Sequence, residues 1–285
     1  MRIWIVGGLA LVLMFGVLPA QAVEPLVLYD DFHGTQLDPA KWAGDQYPPL
    51  VDPAGIPVAG LLDMVREASF GRLRLAARFY GFPFDMGSAP GRLRLSFMKP
   101  EVVTAIDATM LVTRADTVGC TSNPGIASRA AARLSGFFFN TKGTTNENEN
   151  DVLAFVRVQR LSNATDPENV LQIVGNVTLC LDPSCSGGTA ITLGTVSLGT
   201  VHLWQPLRLK LQWDQANHRF IFQRDHQAEL YVTYTVPDTL PSVQPLKRVE
   251  LAPEVPNCTA TPRANAFMEL LVDKVLVNKS AAPLP

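Results

Sequence analysis

Three carboxylates spaced two residues apart are the side chains of this sequence best suited to acid–base chemistry. They are Glu147, Glu149 and Asp151. On a strand, such spacing places all three on one face, and two carboxyl groups about 5–5.5 Å apart can hydrolyse a glycosidic bond with retention, one as nucleophile and one as acid/base. The surrounding TKGTTNENEN is polar on both faces and lacks alternating apolar anchors. This pattern predicts a solvated loop, with a catalytic set as the alternative.

Other catalytic side chains show no supporting pattern. The four histidines, His33, His202, His218 and His226, have no ligand spacing, so we expect solvated turn residues rather than a zinc site. The G-x-S-x-G elbow of a serine hydrolase is absent from the sequence.

The four cysteines allow three pairings, and their spacing alone does not choose among them. We predict Cys180–Cys185, which brackets the turn residues Leu-Asp-Pro-Ser, and Cys120–Cys258, which joins two segments that carry Asn-Pro or Pro-Asn turn signals. A metal site is the rival interpretation, but the sequence has neither a second C-x-x-C nor a histidine pair.

The elements that must position any site are short strands. In the clearest stretch, from Trp204 to Asp225, leucines alternate with polar residues, a polar turn follows, and Phe220 and Phe222 resume the alternation. This pattern predicts an antiparallel hairpin. About a dozen further β-prone segments with polar turns predict an all-β fold of two packed antiparallel sheets. Two GRLRL segments, at 71–75 and 91–95, could be neighbouring strands of one sheet.

The N-terminus has the pattern of an export signal. Residues 1–22 contain one arginine, a continuous apolar run and an Ala-Gln-Ala ending, which predict a cleaved signal peptide rather than a membrane anchor. We therefore expect a single domain over 23–279, a loose tail over 280–285, and a secreted or periplasmic protein with no membrane span after cleavage.

The charge balance argues against some partners. The formal net charge is −2, and the arginines are spread along the sequence, as on the solvent faces of strands. Nucleic acids and anionic membranes require clustered basic surface, so neither partner is expected.

Three stretches carry a resemblance to the concanavalin A-like lectin/glucanase superfamily, the jelly roll shared by laminin G-like domains and laminarinase-type glycoside hydrolases. The entry DDFHGTQLDPAKW resembles the start of laminarinase-type domains. The segment RLKLQWDQANHRFIFQRD is similar to a laminin G-type strand pair, and LLVDKVLVN is similar to the closing strand of the same enzymes. The resemblance implies a two-sheet antiparallel jelly-roll sandwich.

The same resemblance bears on catalysis and calcium. Laminarinase-type enzymes carry Glu-x-Asp-x-Glu on a strand, whereas this chain has Glu, Glu and Asp in that order within a polar segment. The resemblance also implies a structural Ca²⁺ held partly by Asp273, since hard oxygen ligands suit that ion. An ordinary exposed aspartate at a strand end is the alternative for Asp273.

These observations predict an exported, non-catalytic module that binds a carbohydrate or another extracellular surface ligand. The candidate ligand-binding residues are Trp42, Arg66, Arg78 and Tyr80, because exposed aromatic rings stack on sugar faces and arginines donate to hydroxyl groups. A divergent laminarinase-type glycoside hydrolase, which would act with retention, is the alternative function. A structural envelope protein without a small ligand is the third.

Overall fold

The computed structural model of the protein describes residues 24–283 apart from 35, 44–63, 70, 144 and 186–189. The predicted signal peptide at 1–22 lies outside the described residues. The described chain forms two antiparallel sheets, which confirms the predicted all-β, two-sheet antiparallel jelly-roll sandwich.

The described residues contain eighteen strands. In chain order they are β1 (Leu26–Asp30), β2 (Trp42–Ala43), β3 (Val65–Ser69), β4 (Arg72–Tyr80), β5 (Ser88–Pro90), β6 (Leu93–Phe97), β7 (Ala105–Val118), β8 (Arg129–Asn140), β9 (Asp151–Leu161), β10 (Val170–Cys180), β11 (Ala190–His202), β12 (Leu207–Asp214), β13 (Arg219–Arg224), β14 (Leu230–Thr233), β15 (Leu240–Pro241), β16 (Lys247–Leu251), β17 (Glu254–Pro256) and β18 (Asn265–Asn278). The helical elements described are short 3₁₀ turns at Pro100–Val102, Gln215–Asn217 and Lys279–Ala281.

The strands divide between two sheets, here named sheet A and sheet B. Sheet A has the order β14-β13-β12-β7-β18-β4-β3, with β1 also paired to β18. Sheet B has the order β11-β10-β9-β8-β16-β6-β2, with β15 and β17 paired to β8 and β5 paired to β17. Strands β8, β9 and β16 therefore lie in the middle of sheet B.

The predicted hairpin is β12 and β13. Leu209 and Leu211 are fully buried and face Phe220 and Phe222 in the core between the sheets. The turn Gln215–Asn217 joins the two strands, and His218 closes it with a φ of 47°. The alternation of apolar and polar residues thus predicted this element correctly, because one face of the hairpin is buried and the other is not.

The two GRLRL segments are not neighbours, contrary to the expectation from their sequence. Strand β4 lies in sheet A beside β18 and β3, whereas β6 lies in sheet B between β16 and β2. Both segments alternate because each covers the same core from its own side. A period of two residues specifies the buried face of a strand but not its neighbours.

Both predicted disulfides are present. Cys120 bonds to Cys258, and Cys180 bonds to Cys185. No cysteine remains free, which removes the rival interpretation of a thiolate metal site. Disulfides of this kind are typical of proteins in oxidising compartments.

Within the described residues, no helix has the length and apolar character needed to cross a membrane.

Candidate functional site: an arginine face on sheet B

The outer face of sheet B concentrates buried and half-buried charged residues. On β8, Ala130, Ala132 and Leu134 face the core, so Arg129 and Arg133 point to the opposite side of the sheet. The same alternation on β6, β9 and β16 directs further arginines outward. We call the set the arginine face; it consists of Arg92, Arg94, Arg129, Arg133, Arg157 and Arg248, together with Glu250 and Glu254.

One row of side chains crosses four strands at the centre of this face. Backbone register places Glu250 opposite Arg94 on one side and Arg133 on the other, and Arg133 lies opposite Arg157. The row therefore has the order Arg94, Glu250, Arg133, Arg157, with one carboxylate among three guanidinium groups.

Glu250 is fully buried and held by several donors. Arg133 Nε and Ser135 Oγ each donate to Glu250 Oε1 at 2.6 Å, and Arg94 Nε lies 3.6 Å from Glu250 Oε2. Burial acts to raise the pKa of Glu250, but the nearby arginines, Arg133 and Arg248 foremost, hold it well below its usual range. Glu250 is therefore a permanent carboxylate, which cannot serve as a proton donor near neutral pH.

The second carboxylate of the face is also engaged. Glu254 accepts hydrogen bonds from Arg129 Nη2 and, at 2.8 Å, from Ser88 Oγ. Both described acids of the arginine face are thus bonded to arginines of the same face.

Small residues lie between these long side chains. Ala131 lies between Arg129 and Arg133 on β8, opposite Gln159, and its carbonyl accepts from the amide of Ala252. Both alanines are buried although they are on the outer side of the sheet. We call Ala131 and Ala252 the alanine floor.

Two arginines of the face have lowered pKa values. Burial, and after it the charge of Arg133, lowers the pKa of Arg92 to about 9. Burial, followed by the charges of Arg129 and Arg133, lowers the pKa of Arg157 to about 9. Both guanidinium groups stay charged at neutral pH, but like-charged neighbours make that charge costly.

Arg157 has no carboxylate partner among the described residues. Its guanidinium lies 5.1 Å from the centre of the Phe155 ring, and Arg133 lies at the same distance from that ring. Its Nε is buried and makes no hydrogen bond. Arg157 is therefore the described cation of the face best placed to bind an external group.

The outer face of sheet A shows the contrasting arrangement, in which cations pair with acids. Its described ion pairs are Arg72–Asp273 (2.6 Å), Arg74–Glu269 (2.7 Å), Arg208–Asp107 (2.8 Å), Arg219–Asp214 (2.7 Å) and Lys210–Glu229. Arginines on a strand of this protein ordinarily find an acid on the neighbouring strand. The excess of arginine over acid among the described residues of sheet B is therefore a distinguishing feature.

Buried polar atoms without a hydrogen bond occur on the same face. They include Ser96 Oγ, Arg129 Nε, Arg157 Nε, Gln159 Oε1 and Glu250 Oε2. Native proteins leave few such atoms, because an unsatisfied buried polar group costs about 1–3 kcal/mol. These atoms are also closed to solvent, so they report the packing of the face and not a surface open to another molecule.

The four ligand-binding residues predicted from sequence do not form one site. Trp42 is 4% exposed, packs against Tyr29 and Phe97, and donates from Nε1 to Asp30 at 2.5 Å. The prediction for Trp42 is wrong because the entry turn folds the indole into the core, where its N–H is satisfied.

The other three predicted residues lie on sheet A. Arg78 and Tyr80 point outward from β4; Arg78 donates to Asn265 at 2.8 Å, and Arg263 lies over the Tyr80 ring. Arg66 on β3 lies opposite the buried Leu75 of β4 and donates to the carbonyl of Arg94 at 2.9 Å. Arg66 is thus engaged at the edge of the sandwich, away from Arg78 and Tyr80.

Asp273 does not fit a calcium site. Its carboxylate is bonded to Arg72 Nε at 2.6 Å and is 44% exposed. A guanidinium at that distance occupies the carboxylate and repels a divalent cation. The arrangement matches the alternative prediction of an exposed aspartate.

The carboxylate set at 147–151 is arranged as a turn and not as a catalytic strand. Residues 146–150 form bends and turns, and β9 begins only at Asp151. Asp151 is fully buried and accepts from Asn140, Ser242 and the amide of Val243. These acids therefore do not share one open strand face, in agreement with the predicted loop.

Sequence reasoning missed the arginine face. The arginines are far apart in the chain, and the expectation that they lie on solvent-exposed strand faces is wrong for sheet B, where they are buried or half-buried. The signal that could have found them is alternation itself: Arg92, Arg94, Arg133 and Arg157 each flank a residue of the buried core.

Comparisons with known proteins give matches among solved structures. No protein-family profile matches the chain, and no curated protein matches it. LamAcat from Zobellia galactanivorans is 12% identical, with 91% of this chain and 100% of that chain covered and a TM-score of 0.49. The GlcNAcα1-4Gal-releasing endo-β-galactosidase from Clostridium perfringens is 11% identical, with 92% and 65% covered and a TM-score of 0.47. The β-glucanase of Bacillus licheniformis is 11% identical, with 88% and 96% covered and a TM-score of 0.43. The chain is thus similar to these three structures at 11–12% identity.

Proposed function

We propose that this protein is an exported, non-catalytic module that binds a carbohydrate on the arginine face of sheet B. The observation that carries the proposal is the row of arginines across sheet B, which ends at the half-buried Arg157, a residue without a carboxylate partner among those described. Sugar hydroxyl groups both donate and accept hydrogen bonds, and so can satisfy donors and acceptors together. The two disulfides support export, because such bonds persist outside the cytosol.

The acids of the arginine face support binding rather than hydrolysis. A retaining mechanism requires a nucleophile and a separate acid/base that takes up and releases a proton. Glu250 is fully buried with a lowered pKa, and Glu254 is bonded to Arg129. Both described carboxylates of the arginine face are therefore already engaged by arginines.

Binding and hydrolysis can be measured in one experiment. The secreted protein is titrated calorimetrically against a panel of neutral, uronate-containing and sulfated polysaccharides, and each mixture is assayed for new reducing ends. We expect saturable binding to at least one polymer without new reducing ends. Absence of binding to every polymer would contradict the proposal, and so would release of reducing ends that Glu250→Gln abolishes.

A matched pair of variants locates the site. Arg157→Gln removes a cation of the arginine face, and Arg78→Gln removes one from the outer face of sheet A. We expect Arg157→Gln to weaken binding at least tenfold and Arg78→Gln to leave it unchanged, with both variants folded by circular dichroism. The reverse result would move the site to sheet A.

A further inference from the structure

We propose that a cleft at one end of the sandwich binds a neutral sugar, with the indole of Trp204 as the stacking surface. The cleft has a volume of about 500 Å³, within the range of about 300–1,000 Å³ that is typical of small-ligand sites. It shares no lining residue with the arginine face, so the proposal concerns a second site and goes beyond the proposed function. The lining residues that carry it are Asp116, Thr117, Arg160, Glu168, Asn169 and Leu203.

The cleft lies where the core between the two sheets ends. Arg160 of β9 lies opposite Ala130, and Thr117 of β7 lies opposite Ala266; both alanines belong to the buried core. Side chains directly opposite each other on neighbouring strands share a face of the sheet, so Arg160 and Thr117 are on the core side. A guanidinium group and a hydroxyl group therefore occupy positions that are apolar further along the same strands.

The turn before β10 supplies the other polar groups of the cleft. Glu168 and Asn169 are exposed on this turn. Arg160 Nη1 holds the segment against β9 by donating to the carbonyls of Pro167 at 2.8 Å and Val170 at 3.2 Å. Donors and acceptors are thus presented together to solvent, as the hydroxyl groups of a sugar require.

The charges of the cleft favour an uncharged ligand. Arg160 contributes one positive charge and Glu168 one negative charge. The third charged residue of the lining, Asp116, accepts from Arg114 Nε at 2.7 Å. An anionic ligand would be repelled by Glu168 and a cationic one by Arg160, whereas a hydroxyl group can donate to the carboxylate and accept from the guanidinium.

Trp204 lies beside the cleft, directly after Leu203 of its lining. The amide of Leu203 donates to the carbonyl of Asn169 at 2.8 Å, and the amide of Trp204 donates to the carbonyl of Val112 at 2.9 Å. These two bonds fix the turn to the start of β10 in sheet B and to β7 in sheet A. The indole is 68% exposed, whereas Trp42 is buried.

The backbone of Trp204 is strained, with a φ of 63°. Bulky residues rarely adopt this left-handed conformation, which asparagine and glycine tolerate much better. A large ring that is both exposed and strained contributes little to folding, and backbone strain of this kind is typical of functional sites. Because an exposed indole can stack on the face of a sugar ring, a binding role accounts for tryptophan at this position.

The first test is calorimetry of the protein with neutral tetrasaccharides of β-1,3-linked glucose, β-1,4-linked glucose and β-1,4-linked xylose. We expect saturable binding of at least one, with an affinity that does not change with salt because no charge is paired. Failure to bind all three would refute the proposal. Tighter binding of tetragalacturonate, or of the glucosamine tetramer, would refute the neutral ligand.

Matched variants test the stacking surface. Trp204→Asn is expected to weaken binding at least tenfold while the melting temperature stays the same or rises, because asparagine relieves the strain. Ile191→Asn, at an exposed position near the opposite end of β11, should leave binding unchanged. Glu168→Ala is expected to weaken binding about tenfold through the loss of a charged hydrogen bond. A lower melting temperature with unchanged binding in Trp204→Asn would show that Trp204 is structural.

Acrylamide quenching of tryptophan fluorescence locates the bound sugar. Of the described tryptophans, Trp42 is buried and Trp213 is half-buried, so the accessible signal comes from Trp204. We expect a saturating tetrasaccharide to protect this signal in the wild type and to protect none in Trp204→Asn. If Arg157→Gln abolishes binding of the tetrasaccharide and Trp204→Asn does not, the sugar is bound on the arginine face and the cleft is refuted, while the proposed function stands.

Discussion

At the scale of single residues, Lys247 shows how far burial changes a charged side chain. It is on the core side of β16, its Nζ donates to the carbonyl of Phe137, and it lies 4.4 Å from the centre of the Phe138 ring. Gly136 makes room for it, since a Cβ there would lie 2.0 Å from Lys247 Cδ. Burial lowers the pKa of Lys247 to about 7.

This lysine makes stability depend on pH in the neutral to basic range. Between the folded pKa of about 7 and the ordinary lysine value of about 10.4, the unfolded chain holds more protons, so the free energy of unfolding rises with pH. We expect it to rise by about 2 kcal/mol between pH 7 and pH 9 relative to Lys247→Met. Urea unfolding at both pH values measures the difference.

The control is Lys274→Met at an exposed position, for which we expect no such divergence from the wild type. Parallel pH profiles for the wild type and Lys247→Met would show that Lys247 stays protonated in the folded protein.

The sequence predicted the surroundings of some candidate site residues but not of others. The polar neighbours of Glu147 and Glu149 correctly predicted a turn, because whether a short segment is solvated depends mainly on its own residues. The roles of Trp42 and Asp273 were not predictable in the same way. A buried indole hydrogen-bonded to Asp30 and a carboxylate bonded to Arg72 depend on partners that only the assembled sheets bring near.

At the scale of elements, the β12–β13 hairpin was predictable and the position of β6 was not. The hairpin strands are joined by a short turn, so their pairing follows from local sequence. Strand β6 pairs with β16 from far along the chain, a choice made by packing over the common core. Alternation therefore predicted which residues are buried but not which arginines become neighbours.

The hairpin turn contains a carboxylate that should stabilise it. Asp214 is 7% exposed and accepts from Asn217 Nδ2 at 2.8 Å and Arg219 Nε at 2.7 Å. Burial acts to raise the pKa of Asp214, but these two partners outweigh burial and lower it. Its contribution is thus present above the ordinary aspartate range and is lost as pH falls below that range.

We expect Asp214→Asn to lower the free energy of unfolding by about 1–2 kcal/mol at pH 7, with the loss shrinking at acid pH. Asp273→Asn is the comparison, because its exposed pair with Arg72 should contribute less than about 1 kcal/mol. Chemical unfolding at pH 7 and pH 3.5 measures both. If the loss of unfolding free energy in Asp214→Asn persists unchanged at acid pH, the charge of Asp214 does not account for the stabilisation of the turn.

At the scale of the whole molecule, net charge does not reveal how charged residues are distributed between the two sheets. A formal net charge of −2 is a sum over the chain. The outer face of sheet A pairs its cations with acids on neighbouring strands, whereas the arginine face of sheet B holds six described arginines and two described glutamates. The fold class followed from the many alternating segments, because any such chain must bury one side of each strand. The site depends on which strands become neighbours, and no single segment contains that information.

The two disulfides provide a final test of how distant parts of the chain hold the sandwich together. Cys120 follows β7 of sheet A and Cys258 follows β17 of sheet B, with a sequence separation of 138, whereas Cys180 and Cys185 are 5 apart.

The chain-entropy relation gives a stabilisation of about 5 kcal/mol for the long loop and about 2 kcal/mol for the short one. We expect the double variant Cys120→Ala/Cys258→Ala to lose correspondingly more unfolding free energy in urea than Cys180→Ala/Cys185→Ala. The segments that carry Cys120 and Cys258 should still lie together in the first variant, because Asp85 accepts from Ser122 Oγ at 2.5 Å and from the amide of Thr259 at 2.8 Å. Equal losses in the two variants would contradict the expected dependence of the stabilisation on loop length.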